Sequence, residues 1–384
     1  MTMSPKNLAS SVTGRLVNSL KDVSREQWQA LAGTNPFVSY DFLELLEASG
    51  CASPAKGWLP LYLLLEEGDE LIGAAAAYLK SHSRGEYVFD QRWAEAFERH
   101  GLAYYPKLLV SVPFTPVTGP RLLAKTEQGR ALVARTLVSV AVEQKLSSLH
   151  ILFVDELDRQ VLKDAGFMMR ESVQFHWTND NYKTFDSFLA SLSHDKRKKL
   201  KQDRKSVAKA GITFRWLTGA ELGPAQVEFF FMCYVHTYKE HWSTPYLTLG
   251  FFLELHQRRP DMLMLVLAER SGSPVACALN VIDDSTLYGR YWGTTEFVSG
   301  LHFETCYMQS IEFCIARGLR IFEGGAQGEH KIARGLMPVR TQSAHWVADR
   351  SFAKAIEEFL GQETRAIEGY VEQLEGSSPF KAAC

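Results

Sequence analysis

Met262-Leu-Met-Leu-Val-Leu-Ala-Glu-Arg-Ser-Gly-Ser-Pro-Val-Ala-Cys-Ala-Leu-Asn-Val-Ile282 is the stretch on which the reading of this chain turns. Residues 262–268 form an apolar run of strand length, 269–274 hold the charge, glycine and proline of a turn, and 275–282 are a second apolar run. The same order stands earlier in the chain, with strands at 59–65 and 71–79 around a turn at 66–70. Each hairpin is followed by another strand: 286–293 in the later copy, and 107–112 in the earlier, after an inserted segment around 81–105. Each copy then supplies a helix and a strand. Residues 131–145 lead to 150–154, and 303–317, stopped by Gly318, lead to 320–323. Three antiparallel strands, a helix and a further strand, present twice, predict an α+β fold and not a doubly wound nucleotide-binding sheet.

The first copy closes with a helix near 157–164 and a strand at 173–177. The expected domains are therefore 1–180 and 181–384, the second opening on a basic helix and ending on a long helix over 351–374. In that last helix Phe352, Ile356, Phe359, Leu360, Ile367, Val371 and Leu374 fall at three- and four-residue steps, the mark of one packed face.

With 384 residues, 46% hydrophobic and 22% charged, the chain has apolar surface for a substantial core and is not a single small module. Its longest apolar runs, 58–65 and 262–268, fall far short of the ~20 residues that cross a bilayer. Residues 1–20 mix polar side chains through the apolar ones, so the expectation is a cytoplasmic protein with no integral membrane association. Six cysteines without a Cys-x-x-Cys pair read as reduced thiols, and no metal is expected. The net charge of -2 excludes a surface that coats nucleic acid throughout. Locally the balance differs: residues 195–209 hold eight basic and two acidic side chains, a net of +6.

Three segments carry chemistry. Lys196, Arg197, Lys201 and Arg204 of the basic helix suit an anionic donor or acceptor, because Lys and Arg neutralise phosphates; a solvated helix face has the same composition. Tyr288, Arg290 and Trp292 fall on one face of their strand by two-residue alternation and are candidate substrate-binding residues. The third is Phe322-Glu-Gly-Gly-Ala-Gln-Gly-Glu-His-Lys-Ile-Ala-Arg334, which follows a strand and gathers Glu323, Gln327, Glu329, His330, Lys331 and Arg334. Glu323, at the strand end and partly desolvated, is the choice for a general base with a raised pKa, with His330 as alternate. The glycine N–H groups, with Lys331 or Arg334, suit stabilisation of a developing oxyanion. His345, on a strand at 340–347, reads as a hydrogen-bonded structural residue.

The stretches Pro113-Phe-Thr-Pro-Val-Thr-Gly-Pro-Arg-Leu-Leu123, His241-Trp-Ser-Thr-Pro-Tyr-Leu-Thr248, Leu287-Tyr-Gly-Arg-Tyr-Trp-Gly293, Leu301-His-Phe-Glu-Thr-Cys-Tyr307 and Phe322 to Lys331 resemble the FemAB-like N-acyltransferases. That family is associated with peptidoglycan biosynthesis or recognition. The resemblance implies two tandem GNAT-like domains, each a mainly antiparallel sheet with packed helices. It also implies transfer of an acyl or aminoacyl group to a primary amine of a cell-wall or peptide-like acceptor, and adds His241 and Trp242 to the candidate substrate-binding residues. The donor, acyl-CoA or aminoacyl-tRNA, would be a substrate, tRNA a partner, and no cofactor would be bound permanently. GNAT enzymes that use CoA hold its pyrophosphate on a glycine-rich loop. Here that loop reads Thr294-Thr-Glu-Phe-Val-Ser-Gly-Leu301, with one glycine and an acid. The competing expectation is a non-catalytic binding module of the same fold that recognises a cell-wall precursor or RNA. The second domain is expected to hold the cleft, because its counterparts in the first, 107–112 and 150–154, are mainly apolar.

Overall fold

The computed structural model describes residues 12–325 and 328–381, so Gln327 lies outside the described residues. The chain divides into two compact units, Met1–Ser172 with Thr341–Ile367, and Val173–Arg340 with Glu368–Cys384. The division read from sequence keeps residues 341–367 in the second half. In the structure they belong to the first unit, where 342–347 pair antiparallel with the strand Ser148–Val154.

In the second unit, strands Ile212–Thr218, Leu263–Arg270, Ser273–Ile282 and Thr286–Thr294 are antiparallel neighbours. Ile321–Glu323 then pairs parallel to Thr286–Thr294, and residues 176–178 pair antiparallel to it on its other edge. Leu263 to Ala268 are all buried, which is why this strand reads as an unbroken apolar run and not as an alternation. Met264, Val266, Leu287 and Phe322 share a core with Leu200 of the helix His194–Lys209 and with Ile311 and Cys314 of the helix Gln309–Arg317. Helix Pro224–Glu240 packs so tightly on Thr286–Thr294 that a Cβ at Gly293 would collide with the Cys233 backbone.

In the first unit, both predicted hairpin strands break. Tyr62–Glu67 and Glu70–Ala75 pair with each other in a sheet with Val12–Val17 and Leu123–Ala124, whereas Trp58–Pro60 pairs with Ala77–Lys80 in a second sheet. Lys107–Val110 pairs antiparallel to Ala77–Lys80 and parallel to Ser148–Val154. Helix Glu127–Glu143 covers this sheet with Val133, Leu137 and Ala141. Each unit therefore sets three antiparallel strands, a helix and one parallel strand in the same order, and the fold is α+β with two tandem GNAT-like units.

The expectation that 107–112 and 150–154 are mainly apolar fails at two residues. Lys107 Nζ donates to Glu86 Oε2 at 2.7 Å, to Ser83 Oγ at 2.8 Å and to Asp90, with no side-chain exposure of the lysine. Burial works against the charge on Lys107, but Glu86 and Asp90 hold its pKa above the usual value. The same lysine overcomes burial at Asp90 and holds that carboxyl well below the usual range. Tyr104 donates its hydroxyl to Asp90 at 2.6 Å, and the buried rings of His150 and His345 meet Nδ1 to Nδ1 at 2.7 Å.

Candidate active site

Thr286–Thr294 and Ile321–Glu323 run side by side only as far as Tyr288 and Glu323. Beyond that register the second strand leaves through Gly324 and Gly325, the latter at φ 82, a conformation that costs glycine little. The parted strands open a cleft of about 140 Å³ lined by Gly289, Arg290, Trp292, His302, Cys306, Tyr307, Phe322 and Gly324 among others. Gly289 keeps the strands close just before they part: a Cβ there would lie 3.2 Å from the Glu323 carbonyl.

A bulge shapes the wall of this cleft. Leu279 pairs with Tyr291 and Asn280 with Gly289, so Arg290 is the extra residue that opposes nothing. The bulge shifts the alternation by one, and the predicted common face of Tyr288, Arg290 and Trp292 does not exist. Tyr288 is buried and donates its hydroxyl to Asp283 Oδ2 at 2.6 Å. Trp292 instead lies against the His302 ring, centroids 5.1 Å apart, and half-buried Arg290 sits 5.3 Å from the Tyr291 ring.

Glu323 stands between Tyr288 on one neighbouring strand and His176 on the other; its chain neighbours Phe322 and Gly324 line the cleft and Glu323 itself does not. Its side chain is 12% exposed and its Oε2 lies 3.9 Å from His176 Nε2. Burial pushes the Glu323 carboxyl up to about 8; Arg290 opposes the shift and Asp283 adds to it. Burial, reinforced by the charge of Lys331, pulls His176 down to about 4. At neutral pH the pair is thus a largely protonated carboxyl facing a neutral imidazole. Sequence reading passed over His176. Its signal was present, a polar residue between Phe175 and Trp177, both of which face the core.

The helix that borders the cleft starts at Leu301, widens into a π-helical turn at Glu304–Met308 and continues as Gln309–Arg317. An irregular turn of this kind needs outside support. Arg204 Nε donates to Glu304 Oε1 at 2.9 Å and its guanidinium also pairs with Glu312. Gln309 Nε2 donates to the same Glu304 oxygen at 2.8 Å, and Trp216 Nε1 to Gln309 Oε1 at 2.9 Å. The turn carries Cys306 and Tyr307 to the cleft wall. Arg204 is therefore engaged by two carboxylates and does not belong to a free basic face, as its sequence suggested. Of the other predicted members, Lys196 and Lys201 are exposed, Arg197 is half-exposed, and Lys201 lies 3.5 Å from Asp186.

Past Gly328 the chain turns through a short 3-10 segment, Glu329–Arg334. Lys331 is buried and donates Nζ to the Gly325 carbonyl at 3.0 Å. Arg334 donates Nη1 to the His330 carbonyl at 2.7 Å and lies 3.5 Å above the Phe303 ring. The His330 ring is exposed, with Nε2 at 3.4 Å from the Tyr307 hydroxyl, and Glu329 accepts from Tyr370 at 2.8 Å on the surface. The structure does not bring His241 and Trp242 to the cleft: neither lines it, and Trp242 is 98% exposed beyond the end of Pro224–Glu240.

A second cavity of about 540 Å³ is lined by Trp292, by the loop 294–301 and by His236, Glu240, His302 and Phe303. The loop's polar groups serve the loop. The hydroxyls of Thr294 and Thr295 donate to the Val275 carbonyl at 3.0 and 3.1 Å, the N–H of Glu296 donates to Thr294 Oγ1, and Glu296 pairs with Arg270 at 2.8 Å. Among the described residues no group of three or more His, Cys, Asp or Glu could hold a metal ion. No helix among them is long and apolar enough to cross a membrane.

A duplicated α+β fold with a cleft where two parallel strands part is a tandem GNAT-like fold. The chain belongs to the FemAB-like family, described as peptidoglycan biosynthesis/recognition, which it matches over residues 19–382. Solved structures of similar fold include FemX, at a TM-score of 0.55 and 11% identity over 87% of this chain and 98% of that one. L-PGS from Bacillus licheniformis is similar at a TM-score of 0.53 and 10% identity, over 87% of this chain and 94% of that one. The C-terminal domain (DUF2156) of a candidate lysylphosphatidylglycerol synthetase from Agrobacterium fabrum is similar at a TM-score of 0.54 and 7% identity, over 88% of this chain and 95% of that one. No protein with a curated description matches the sequence.

Proposed function

We propose that this chain is an N-acyltransferase that moves an acyl or aminoacyl group from an activated donor to a primary amine of a peptidoglycan-related acceptor. Glu323 carries the reading: a buried carboxyl poised at about 8, at the point where the strands part, beside a neutral histidine. An amine is protonated at neutral pH and must lose a proton before its nitrogen attacks the donor carbonyl. In this reading the first proton goes to solvent, and the ionised fraction of Glu323, about a tenth at pH 7 for a pKa of about 8, accepts the second proton that the nitrogen sheds as the N–C bond forms and returns it to the leaving group as the bond to the donor breaks, while Lys331 helps to hold the oxyanion formed on the carbonyl. His330, the alternate base, is exposed and its pKa is lowered by burial of part of the ring and by Arg334 and Lys331, which fits it less well to the task. Family membership supports the peptidoglycan-related acceptor.

Of the two donor classes, aminoacyl-tRNA fits better than acyl-CoA. In the loop 294–301 the hydroxyls of Thr294 and Thr295 and the N–H of Glu296 are already engaged and Glu296 adds a negative charge, which disfavours a pyrophosphate there, whereas Lys196 and Arg197 present charge to a phosphate backbone. Glu323→Gln keeps the volume and removes the basicity. Its turnover of charged tRNA or acyl-CoA with amine-bearing muropeptides should fall by roughly 100- to 10,000-fold, with circular dichroism unchanged. Turnover equal to that of the unaltered protein rejects Glu323 as the base, and absence of turnover in both leaves the binding-module reading in its place.

A further inference from the structure

Lys331 and Arg334 are 4% and 9% exposed, yet among the described residues no carboxylate lies within ion-pair distance of either. Buried cations are ordinarily matched by an anion, because leaving water costs each several kcal/mol. Here each cation has only partial compensation. Lys331 donates to one carbonyl and lies 5.9 Å from the Phe175 ring. Arg334 donates to one carbonyl, lies on the Phe303 ring and feels the charge of Asp203 from beyond ion-pair distance, while its Nε is buried with no hydrogen-bond partner among the described residues.

Lys331 lies beside the cleft, and Arg334 beside the cavity next to it. A Cβ placed on cleft-lining Gly324 would lie 3.7 Å from Cδ of Lys331, and Phe303 beneath Arg334 lines the neighbouring cavity. The Phe303 ring under Arg334 lies 5.3 Å from the ring of cleft-lining His302 and 5.4 Å from that of His330, and burial together with the charges of His330, Arg334 and Lys331 lowers His302 to about 4. We infer that Lys331 and Arg334 form a binding site for a phosphate group of a substrate. Two cations, a buried guanidinium N–H and the Tyr307 hydroxyl offer more donors than one carboxylate accepts, and they match the charge of a phosphate. The inference rests on the function proposed above only in assigning the phosphate to a substrate of that cleft.

The test is the melting temperature of the full chain with inorganic pyrophosphate as probe, against acetate at equal ionic strength. A ligand that binds only the folded state raises its stability, so pyrophosphate should raise the melting temperature in a salt-sensitive way and acetate should not. Lys331→Met and Arg334→Met should each weaken the binding by about tenfold to a hundredfold. Without pyrophosphate, both variants should melt at or above the temperature of the unaltered protein, because each removes an incompletely compensated buried charge. A melting temperature indifferent to pyrophosphate, an equal response to acetate, or a response that survives in the double variant overturns the inference. So does a Met variant that unfolds in the absence of probe, which would make the cations structural. Separate titrations with ADP and with an RNA trinucleotide tell which kind of molecule carries the phosphate. Glu323→Gln should bind pyrophosphate normally, so that loss of the acyltransferase reading leaves this result standing.

Discussion

Lys107 and Lys331 are two buried lysines, one in each unit of a duplicated fold, and their surroundings are opposites. Lys107 has Glu86, Asp90 and Ser83, and these partners outweigh its burial. Lys331 has one carbonyl, and burial pulls it down to about 8. The difference traces to chain length between strands. In the first unit Ser83, Glu86 and Asp90 all come from the segment between Ala77–Lys80 and Lys107–Val110. In the second, only Asp283, Asp284 and Ser285 separate Ser273–Ile282 from Thr286–Thr294, and Asp283 is occupied by the turn and by Tyr288. One copy carries its own counterions; the other has no carboxylate within ion-pair distance of its buried lysine, beside an open cleft.

The contrast breaks most visibly at Lys107. Lys107→Met strands two buried carboxylates and should cost about 3–5 kcal/mol in urea denaturation. Adding Glu86→Gln and Asp90→Asn should recover part of that loss, and a Lys107→Met protein within 1 kcal/mol of the unaltered chain would mean that the cluster is not what holds this region.

A smaller effect should separate Glu323 from its neighbours by pH. Its folded pKa lies above its unfolded one, so the folded state holds the extra proton, and the stability this gives is full below about 4.5 and lost as pH rises to about 8. His176 has the opposite sign: its depressed pKa gives stability that is present above about 6.5 and lost as pH falls towards 4. Between pH 6.5 and 8, therefore, the stability of Glu323→Gln should gain on that of the unaltered protein with rising pH. Parallel stability curves across that window would mean that Glu323 is not held protonated.

Next comes the π-helical turn. Arg204→Met removes the guanidinium from Glu304 and Glu312, so Cys306 should react faster with a thiol reagent in a Cys384→Ser background, while Cys233, Cys277 and Cys314 stay protected in the core. An unchanged Cys306 rate would show that the turn holds without Arg204. The smallest structural effect is expected from Lys196→Gln, Arg197→Gln and Lys201→Gln together. Stability should change by no more than about 0.5 kcal/mol per site, while binding of charged tRNA loses salt dependence. An unchanged salt slope returns the helix to a solvated surface.

What the sequence made legible was local. The apolar runs at 263–268 and 275–281 and the charged turn between them announced the hairpin, because hydrophobic period and turn chemistry act over a few residues. Glu323 at a strand end was visible for the same reason. The bulge at Arg290 was not, since alternation presumes an unbroken ladder, and one extra residue reverses every assignment after it. Arg204 looked like one more charge on a basic helix because its partners, Glu304 and Glu312, are 100 and 108 residues away. Lys107 and His150 looked like minor exceptions in apolar strands, because their partners sit in other elements.

The pairing of 342–347 with Ser148–Val154 also bears on how the chain is made. A ribosome emits the first 172 residues long before residues 341–367 exist, so the amino-terminal unit must wait, with the edge of Ser148–Val154 unpaired, until nearly the whole chain has emerged. The usual economy of synthesis, one domain finished while the next is translated, is closed to this protein. The duplication that makes it look like two modules is interleaved along the chain, so that a cut between the copies would take from the first one the strand that borders Ser148–Val154.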